Sequence, residues 1–241
     1  MKPASAPRDL TTRLVSIRDE AAGAKTFRLA VPDDFSFVPG QWVMIQFPDK
    51  AEKASAYSIS SSPYEAGQIA LSFCKVGPLT QRLFDAQPGQ ELLLRGPYGK
   101  WLYDDAIAHA VLITDGTGIT PYRAMGRYVI DAGLPNRLTF MYSARTPEHF
   151  LYEKDLAAFA AHGFKVHRTV THPEEGKGVW NGATGELTVG LLEKEVDGFK
   201  EATYYLCGPK SLVEKFKKDL PSRGISEKQI LFEAWGDYSW D

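Results

Sequence analysis

Eight residues, Thr114-Asp-Gly-Thr-Gly-Ile-Thr-Pro121, carry the strongest chemical signal in this chain. They follow a continuous apolar run, Ala110–Thr114, and lead into a helical pattern opened by Pro121, a residue suited to a first helical turn. Gly116 and Gly118 permit a tight turn and close backbone approach, and the free N–H groups of a helix start suit an anion. In an α/β sheet, dinucleotide phosphates bind at the C-terminal edge of such a strand. A plain strand-to-helix turn would use the same glycines. Cys207-Gly208-Pro209 ends a later strand, where the cysteine either lines a ligand crevice or packs as a small apolar residue. Tyr57-Ser58 ends a strand in the first part of the chain. A flat aromatic and a hydroxyl suit a ring system there, or an ordinary half-buried strand.

These residues need two kinds of scaffold. Leu10–Ile17, Thr26–Val31, Trp42–Phe47, Ala54–Ser60, Ile69–Lys75 and Glu91–Leu94 are short β-prone runs separated by Pro, Gly, Asp and Ser turns. Their spacing predicts an antiparallel six-stranded β-barrel over residues 1–100, with one short helix over Thr80–Ala86. After Gly96-Pro-Tyr-Gly99 strands and helices alternate. Strands are expected at Ala110–Thr114, Arg137–Ser143, Lys165–Thr171, Thr203–Cys207 and Gln229–Glu233, and helices at Pro121–Ala132, Leu151–His162 and Lys210–Arg223. That rhythm predicts a doubly wound α/β parallel sheet over residues 101–241.

Composition removes other classes. With 44% hydrophobic and 24% charged residues the chain is globular, and a net charge of -2 leaves no basic stripe for nucleic acid. Two cysteines, Cys74 and Cys207, are too few for a disulfide scaffold or a four-thiolate iron–sulfur cluster. No run is long enough to span a bilayer and the start carries no apolar signal region, so a cytoplasmic location is expected. The five histidines show no metal-ligand spacing, and no metal is expected. Lys210, Lys215, Lys217 and Lys218 read as the wet face of a helix, or as a dock for an acidic carrier.

Taken in order, these pieces resemble the flavin-dependent ferredoxin–NADP reductase superfamily over residues 10–235. Phe37-Val-Pro-Gly-Gln41 resembles its barrel signature, and Ser55-Ala-Tyr-Ser58 its Arg-x-Tyr-Ser/Thr flavin motif. Gly77-Pro-Leu-Thr80 is similar to its flavin-pyrophosphate loop, and Gly96-Pro-Tyr-Gly99 to its interdomain turn. Gly116-Thr-Gly-Ile-Thr-Pro121 resembles its nicotinamide-nucleotide loop, Cys207-Gly-Pro209 its nicotinamide-side motif, and Phe232-Glu-Ala-Trp235 its C-terminal ending. The resemblance implies FAD on the barrel, held by Ser55, Ala56, Tyr57, Ser58, Cys74, Lys75, Val76, Gly77, Leu79 and Thr80, with Trp235 shielding the ring. It implies NADH or NADPH on the α/β domain, held by Gly116, Thr117, Gly118, Thr120, Pro121, Ser143, Arg145, Cys207, Gly208 and Pro209. Ser58, Cys207 and Glu233 are the implied catalytic residues. The chain continues past Trp235, so Trp240 competes for the stacking role, and either tryptophan would also serve as a core cap.

The implied activity is an FAD-dependent NAD(P)H reductase passing electrons to a separate carrier such as ferredoxin, flavodoxin or an oxygenase component. Alternatives are an NAD(P)H:flavin reductase using diffusible flavin, and a non-catalytic nucleotide-sensing subunit. Two departures bear on the choice. Ser55 stands where the flavin motif has an arginine, which predicts looser FAD binding unless Lys53 or Arg82 compensates. Asp115 places an acid beside the phosphate loop, where the family commonly has glycine. Arg145 would suit a 2′-phosphate but also occurs in NADH users, and the balance favours NADH.

Overall fold

The structure is a computed structural model that describes residues 4–235. The chain separates into two compact units, one running to Tyr103 and taking in Thr120–Ala132, the other comprising Asp104–Ile119 and the residues from Gly133 onward.

The first unit is built on strands β1 (Arg8–Ala21), β2 (Ala24–Ala30), β3 (Trp42–Gln46), β4 (Ser55–Ser58), β5 (Gln68–Cys74) and β6 (Glu91–Tyr98). They lie in the order β4-β3-β6-β1-β2-β5, and every pairing is antiparallel. An Ile59–Leu71 bridge and a 2.8 Å bond from the Ser60 N–H to the Ala70 carbonyl join the two edges into a barrel. Inward residues such as Leu14, Phe27, Val43, Ile45, Leu71 and Leu94 are fully buried. Each such side chain contributes about 1.5–3 kcal/mol of burial. Strand β6 runs four residues past its expected end, through Gly96-Pro97, because the register shift between Trp42 and Met44 on β3 accommodates a proline that cannot donate.

Helix α1 (Pro78–Phe84) starts two residues earlier than the pattern predicts. Pro78 fits the first turn, and the Thr80 hydroxyl accepts the N–H groups of Val76 and Gly77, each at 2.9 Å. Leu79 and Leu83 then enter the barrel core. Helix α2 (Ile119–Asp131) also packs within this unit, where the Arg123 guanidinium donates to the Ser60 carbonyl at 2.7 Å and the Tyr122 ring sits 5.9 Å from Trp101.

The second unit carries β7 (His109–Asp115), β8 (Arg137–Ala144), β9 (Lys165–Val170), β10 (Ala183–Thr184), β11 (Thr203–Pro209) and β12 (Ile230–Trp235), with α3 (Glu153–His162), α4 (Val189–Glu195) and α5 (Lys210–Ser222). All pairings are parallel in the order β10-β9-β8-β7-β11-β12. The order reverses at β7, and in open α/β sheets it is outside the C-terminal ends of the strands at such a point that ligands bind. Two elements go beyond those expected from the sequence. Strand β10 has only two residues, both exposed, and α4 is seven residues long with Thr188 as N-cap, its hydroxyl accepting the Leu191 N–H at 3.2 Å. No helix among the described residues is long and apolar enough to cross a membrane.

The Val38–Gln41 turn locks the first unit. Gln41 accepts the Val38 N–H on its side-chain oxygen at 2.9 Å, and the Tyr103 N–H donates to the Pro39 carbonyl at 2.9 Å. Gly40 adopts φ +104°, and a Cβ there would lie 2.3 Å from the Trp101 carbonyl oxygen. Gly40→Ala is therefore expected to destabilise the protein by about 2–4 kcal/mol. Urea unfolding followed by tryptophan fluorescence measures this, and an unchanged midpoint would show that the turn moves aside freely.

Candidate functional site

Strand β7 ends at Asp115 and turns through Gly116–Gly118 as one 3-10 turn before α2 begins. The turn is fixed from two sides. The fully buried Tyr142 on β8 donates its hydroxyl to the Gly116 carbonyl at 3.0 Å and accepts the Leu151 N–H at 3.1 Å. Gly118 lies so close to β11 that a Cβ would fall 2.5 Å from the Cys207 carbonyl oxygen and 2.2 Å from the Thr114 hydroxyl. Only glycine permits that approach at position 118.

Register brings three reactive side chains to one row. Cys207 pairs with Thr114 on one side and with Glu233 on the other. Residues in register on adjacent parallel strands share a face, so hydroxyl, thiol and carboxyl stand side by side. Burial pushes the Cys207 thiol well above its ordinary range, and the charge of Glu233 adds to that. Cys207 is thus a neutral thiol, not a thiolate nucleophile. Burial also pushes the Glu233 carboxyl up to about 7, where it gains and loses a proton near neutral pH. Gly208 and Pro209 complete β11 and lead into α5. The Trp235 side chain and Trp240 lie outside the described residues.

Asp115 faces the buried Ser143 across the β7–β8 pairing. Burial pushes the Asp115 carboxyl up to about 6, a hydrogen bond from Ser143 works against that shift, and Glu186 reinforces it. Two residues beyond Ser143, the exposed Arg145 is held by a two-point ion pair, Nε to Glu175 Oε2 at 2.6 Å and Nη2 to Glu175 Oε1 at 2.9 Å. Thr117 is half-buried in the turn. Thr120 and Pro121 open α2 within the first unit, and the buried Thr120 hydroxyl donates to the Ser72 carbonyl at 3.5 Å.

On the barrel, Ser55, Tyr57 and Ser58 are half-buried and Ala56 is exposed. The Tyr57 ring rests on Phe73 with centroids 4.2 Å apart. Cys74 and Leu79 point into the core, and burial pushes the Cys74 thiol up to about 12, so both offer a ligand their backbone only. Lys75 and Val76 are exposed, Gly77 is half-buried, and the Thr80 hydroxyl is spent on closing its own loop. An aromatic platform with flanking hydroxyls fits a flavin ring. For a flavin's phosphates the fit rests on backbone N–H groups and exposed lysines. Arg82, the nearest substitute for a guanidinium at position 55, is bound to Asp49 at 2.7 Å and to Glu52 at 3.2 Å, and stacks 3.8 Å over Phe47. Lys53 is exposed.

Tyr142 and Glu175 are not found by sequence reasoning. A tyrosine inside an apolar strand carries no local mark of its role, and Glu175 meets Arg145 only because β8 and β9 are neighbours.

Residues 11–103 match an oxidoreductase FAD-binding domain, and residues 112–218 an oxidoreductase NAD-binding domain. The chain is 30% identical to the glycine betaine monooxygenase reductase subunit of Pseudomonas aeruginosa, over 93% of this chain and 63% of that protein. The corresponding protein of Chromohalobacter salexigens is 29% identical, with the same coverage of 93% and 63%. The chain therefore spans less than two thirds of the length of these curated relatives. Among solved structures, a cytochrome P450 reductase of Amycolatopsis shares the fold with a TM-score of 0.84 at 23% identity, covering 96% of this chain and 71% of that one.

The raised acids make stability depend on pH. Asp115 keeps its proton to a higher pH in the fold than in the unfolded chain, whose value lies near the ordinary 3.8. Between those limits the folded state binds more protons, so stability falls as pH rises from about 4 to about 6 and levels off above. Glu233 extends the decline to about 7. Asp115→Asn is expected to flatten the first part of this slope and to raise stability at pH 7.5 by about 1–3 kcal/mol. Chemical denaturation at a series of pH values reads it, and parallel pH profiles for the two proteins would refute it.

Proposed function

The chain belongs to the ferredoxin–NADP reductase-like superfamily of oxidoreductases, and from that premise we propose that it is an FAD-dependent NAD(P)H reductase serving a separate electron-carrier protein. The observation that carries this reading is the row Thr114–Cys207–Glu233 beside the glycine turn at the sheet's switch point. Bound FAD supplies the conversion of a two-electron hydride donor into single-electron output. The protein's own residues bind, align and exclude water. Backbone N–H groups of the Gly116–Gly118 turn and the α2 start face a pyrophosphate. Cys207, fully buried at that edge, backs the nicotinamide site with a small, uncharged side chain, and Glu233 holds or releases a proton there. Tyr57 supports a flavin ring, and Ser58 offers it a hydroxyl.

NADH is the preferred donor, because Arg145 at the ribose end is already engaged by Glu175. The acceptor is an oxygenase component, a ferredoxin or a flavodoxin. An oxygenase component has the most support, since the Pseudomonas aeruginosa relative is itself the reductase subunit of a monooxygenase. A second reading, turnover of diffusible flavin, is favoured by Ser55 together with the commitment of Arg82 to Asp49 and Glu52.

The test is an anaerobic absorbance titration of the protein reconstituted with FAD. NADH is expected to bleach the flavin band near about 450 nm in the wild type. Cys207→Ala is expected to slow bleaching by about 10–100-fold with FAD retained, because the nicotinamide loses its wall and its alignment. A flavin-loaded wild type that neither nucleotide bleaches would end the reductase reading. Turnover only with added, exchanging flavin would select the second one.

A further inference from the structure

Arg145 sits immediately beyond β8, the strand that pairs with β7 on the side away from β11. In this class of sheet, the loop after that strand meets the adenosine ribose. An acid there accepts the ribose 2′-hydroxyl, whereas an arginine accommodates a 2′-phosphate. This chain has both, locked together: two N–H groups of Arg145 reach the two carboxylate oxygens of Glu175 at 2.6 and 2.9 Å.

The pair is held by the backbone beneath it. The Thr171 N–H donates to the Ala144 carbonyl at 3.0 Å and the His172 N–H to the Arg145 carbonyl at 2.8 Å, which seats the Pro173–Glu175 turn against the end of β8. A Cβ on Gly176 would lie 3.0 Å from Pro147 and 3.5 Å from Glu148, so the two loops are already in contact. The hydrogen bond from Arg145 holds the Glu175 carboxyl below its ordinary range, and hydrogen bonds led by the Thr146 hydroxyl do the same for Glu148. Both are ionised at neutral pH. Glu174 adds a third carboxylate, beside His172 at 3.3 Å. Each member of the Arg145–Glu175 pair remains 42% exposed, within reach of a ligand.

We infer that Glu175 sets the coenzyme choice of this chain, occupying Arg145 so that the site takes an unphosphorylated ribose and rejects a 2′-phosphate. The inference rests on the reading of this edge as a pyridine-nucleotide site. A ribose diol donates to the Glu175 carboxylate without disturbing the pair. A 2′-phosphate must break a two-point charged contact and then face Glu175 and Glu148, and like charges in contact are strongly unfavourable. The site is in this sense a masked 2′-phosphate site.

The experiment compares dissociation constants of NADH and NADPH, with AMP and 2′-phospho-AMP as fragment probes, by titration calorimetry. The proteins are the wild type, Glu175→Gln, Glu175→Ala and Glu175→Ala/Arg145→Ala, each checked by far-UV circular dichroism. The wild type is expected to favour NADH by about tenfold or more. Both single variants are expected to narrow that ratio by about tenfold, chiefly through tighter NADPH and 2′-phospho-AMP binding, and the added Arg145→Ala change should remove the gain. A ratio that neither Glu175 variant moves would overturn the inference and make the pair an ordinary surface salt bridge. So would a wild type that favours NADPH, or a gain that survives loss of Arg145. A folded wild type that binds none of the four probes would instead remove the nucleotide-site reading, and the inference with it.

Discussion

The contact between Gly118 and the end of β11 constrains everything else at the sheet edge. The backbone of the turn rests on the Cys207 carbonyl and the Thr114 hydroxyl at distances that leave no volume for a methyl group. That approach brings the β7 turn onto β11, and the parallel register of β11 with β12 then delivers Glu233 to the same row. Tyr142 holds the turn from the opposite strand. The Gly116–Gly118 turn and the cysteine–glutamate row are thus one connected piece, not two motifs that happen to meet. A shift of one residue in either pairing would send the thiol or the carboxyl to the other face.

Charge is distributed unevenly along this edge. Near β11 and β12 burial favours neutral forms: the Cys207 thiol stays protonated and Glu233 titrates only near neutrality. Asp115, next in line, is likewise raised. Beyond β8 the pattern inverts, with ionised Glu175 and Glu148 accompanied by a guanidinium and by hydrogen-bond donors. One end suits an uncharged ring and a transferable proton. The other suits sorting ligands by charge in a solvent-exposed setting. Burial produces the raised values at one end, and hydrogen bonds to the ionised form produce the lowered values at the other, so the same carboxylate chemistry is set in opposite directions.

Local signals are readable in the sequence and long-range ones are not. The glycine turn and the barrel strands follow from adjacent residues, and the order of short motifs adds the resemblance to a known family. Cys207 is recognisable as a strand-end residue, but its neighbours Thr114 and Glu233 lie far away in the chain and meet only through strand order. The Arg145–Glu175 pair depends in the same way on β8 lying beside β9. Helix α2 shows the limit most clearly. Its pattern marks it as the crossover between β7 and β8, yet Arg123 and Tyr122 tie it to the barrel unit through a carbonyl on Ser60 and the ring of Trp101. Strand β10 and helix α4 are too short for periodicity to register.

Ser55 and Arg82 together decide how the barrel can treat a flavin. A guanidinium at position 55 would supply a charge-assisted, two-point contact to phosphate, and a serine hydroxyl cannot replace it. Arg82 is not in reserve, because moving it toward a phosphate would abandon Asp49, Glu52 and the face of Phe47 at once. What remains for the proposed flavin is the Tyr57 ring on Phe73 and a Gly77–Thr80 loop whose threonine is consumed in its own closure. Such a site would draw its specificity from the ring and little from the charged tail. Under the proposed function, flavin residence would be governed by stacking and backbone donors, and the boundary between a resident cofactor and an exchanging substrate would be a matter of off-rate instead of fold. The two proposed readings of this protein are the two sides of that boundary, and both use the same Thr114–Cys207–Glu233 row.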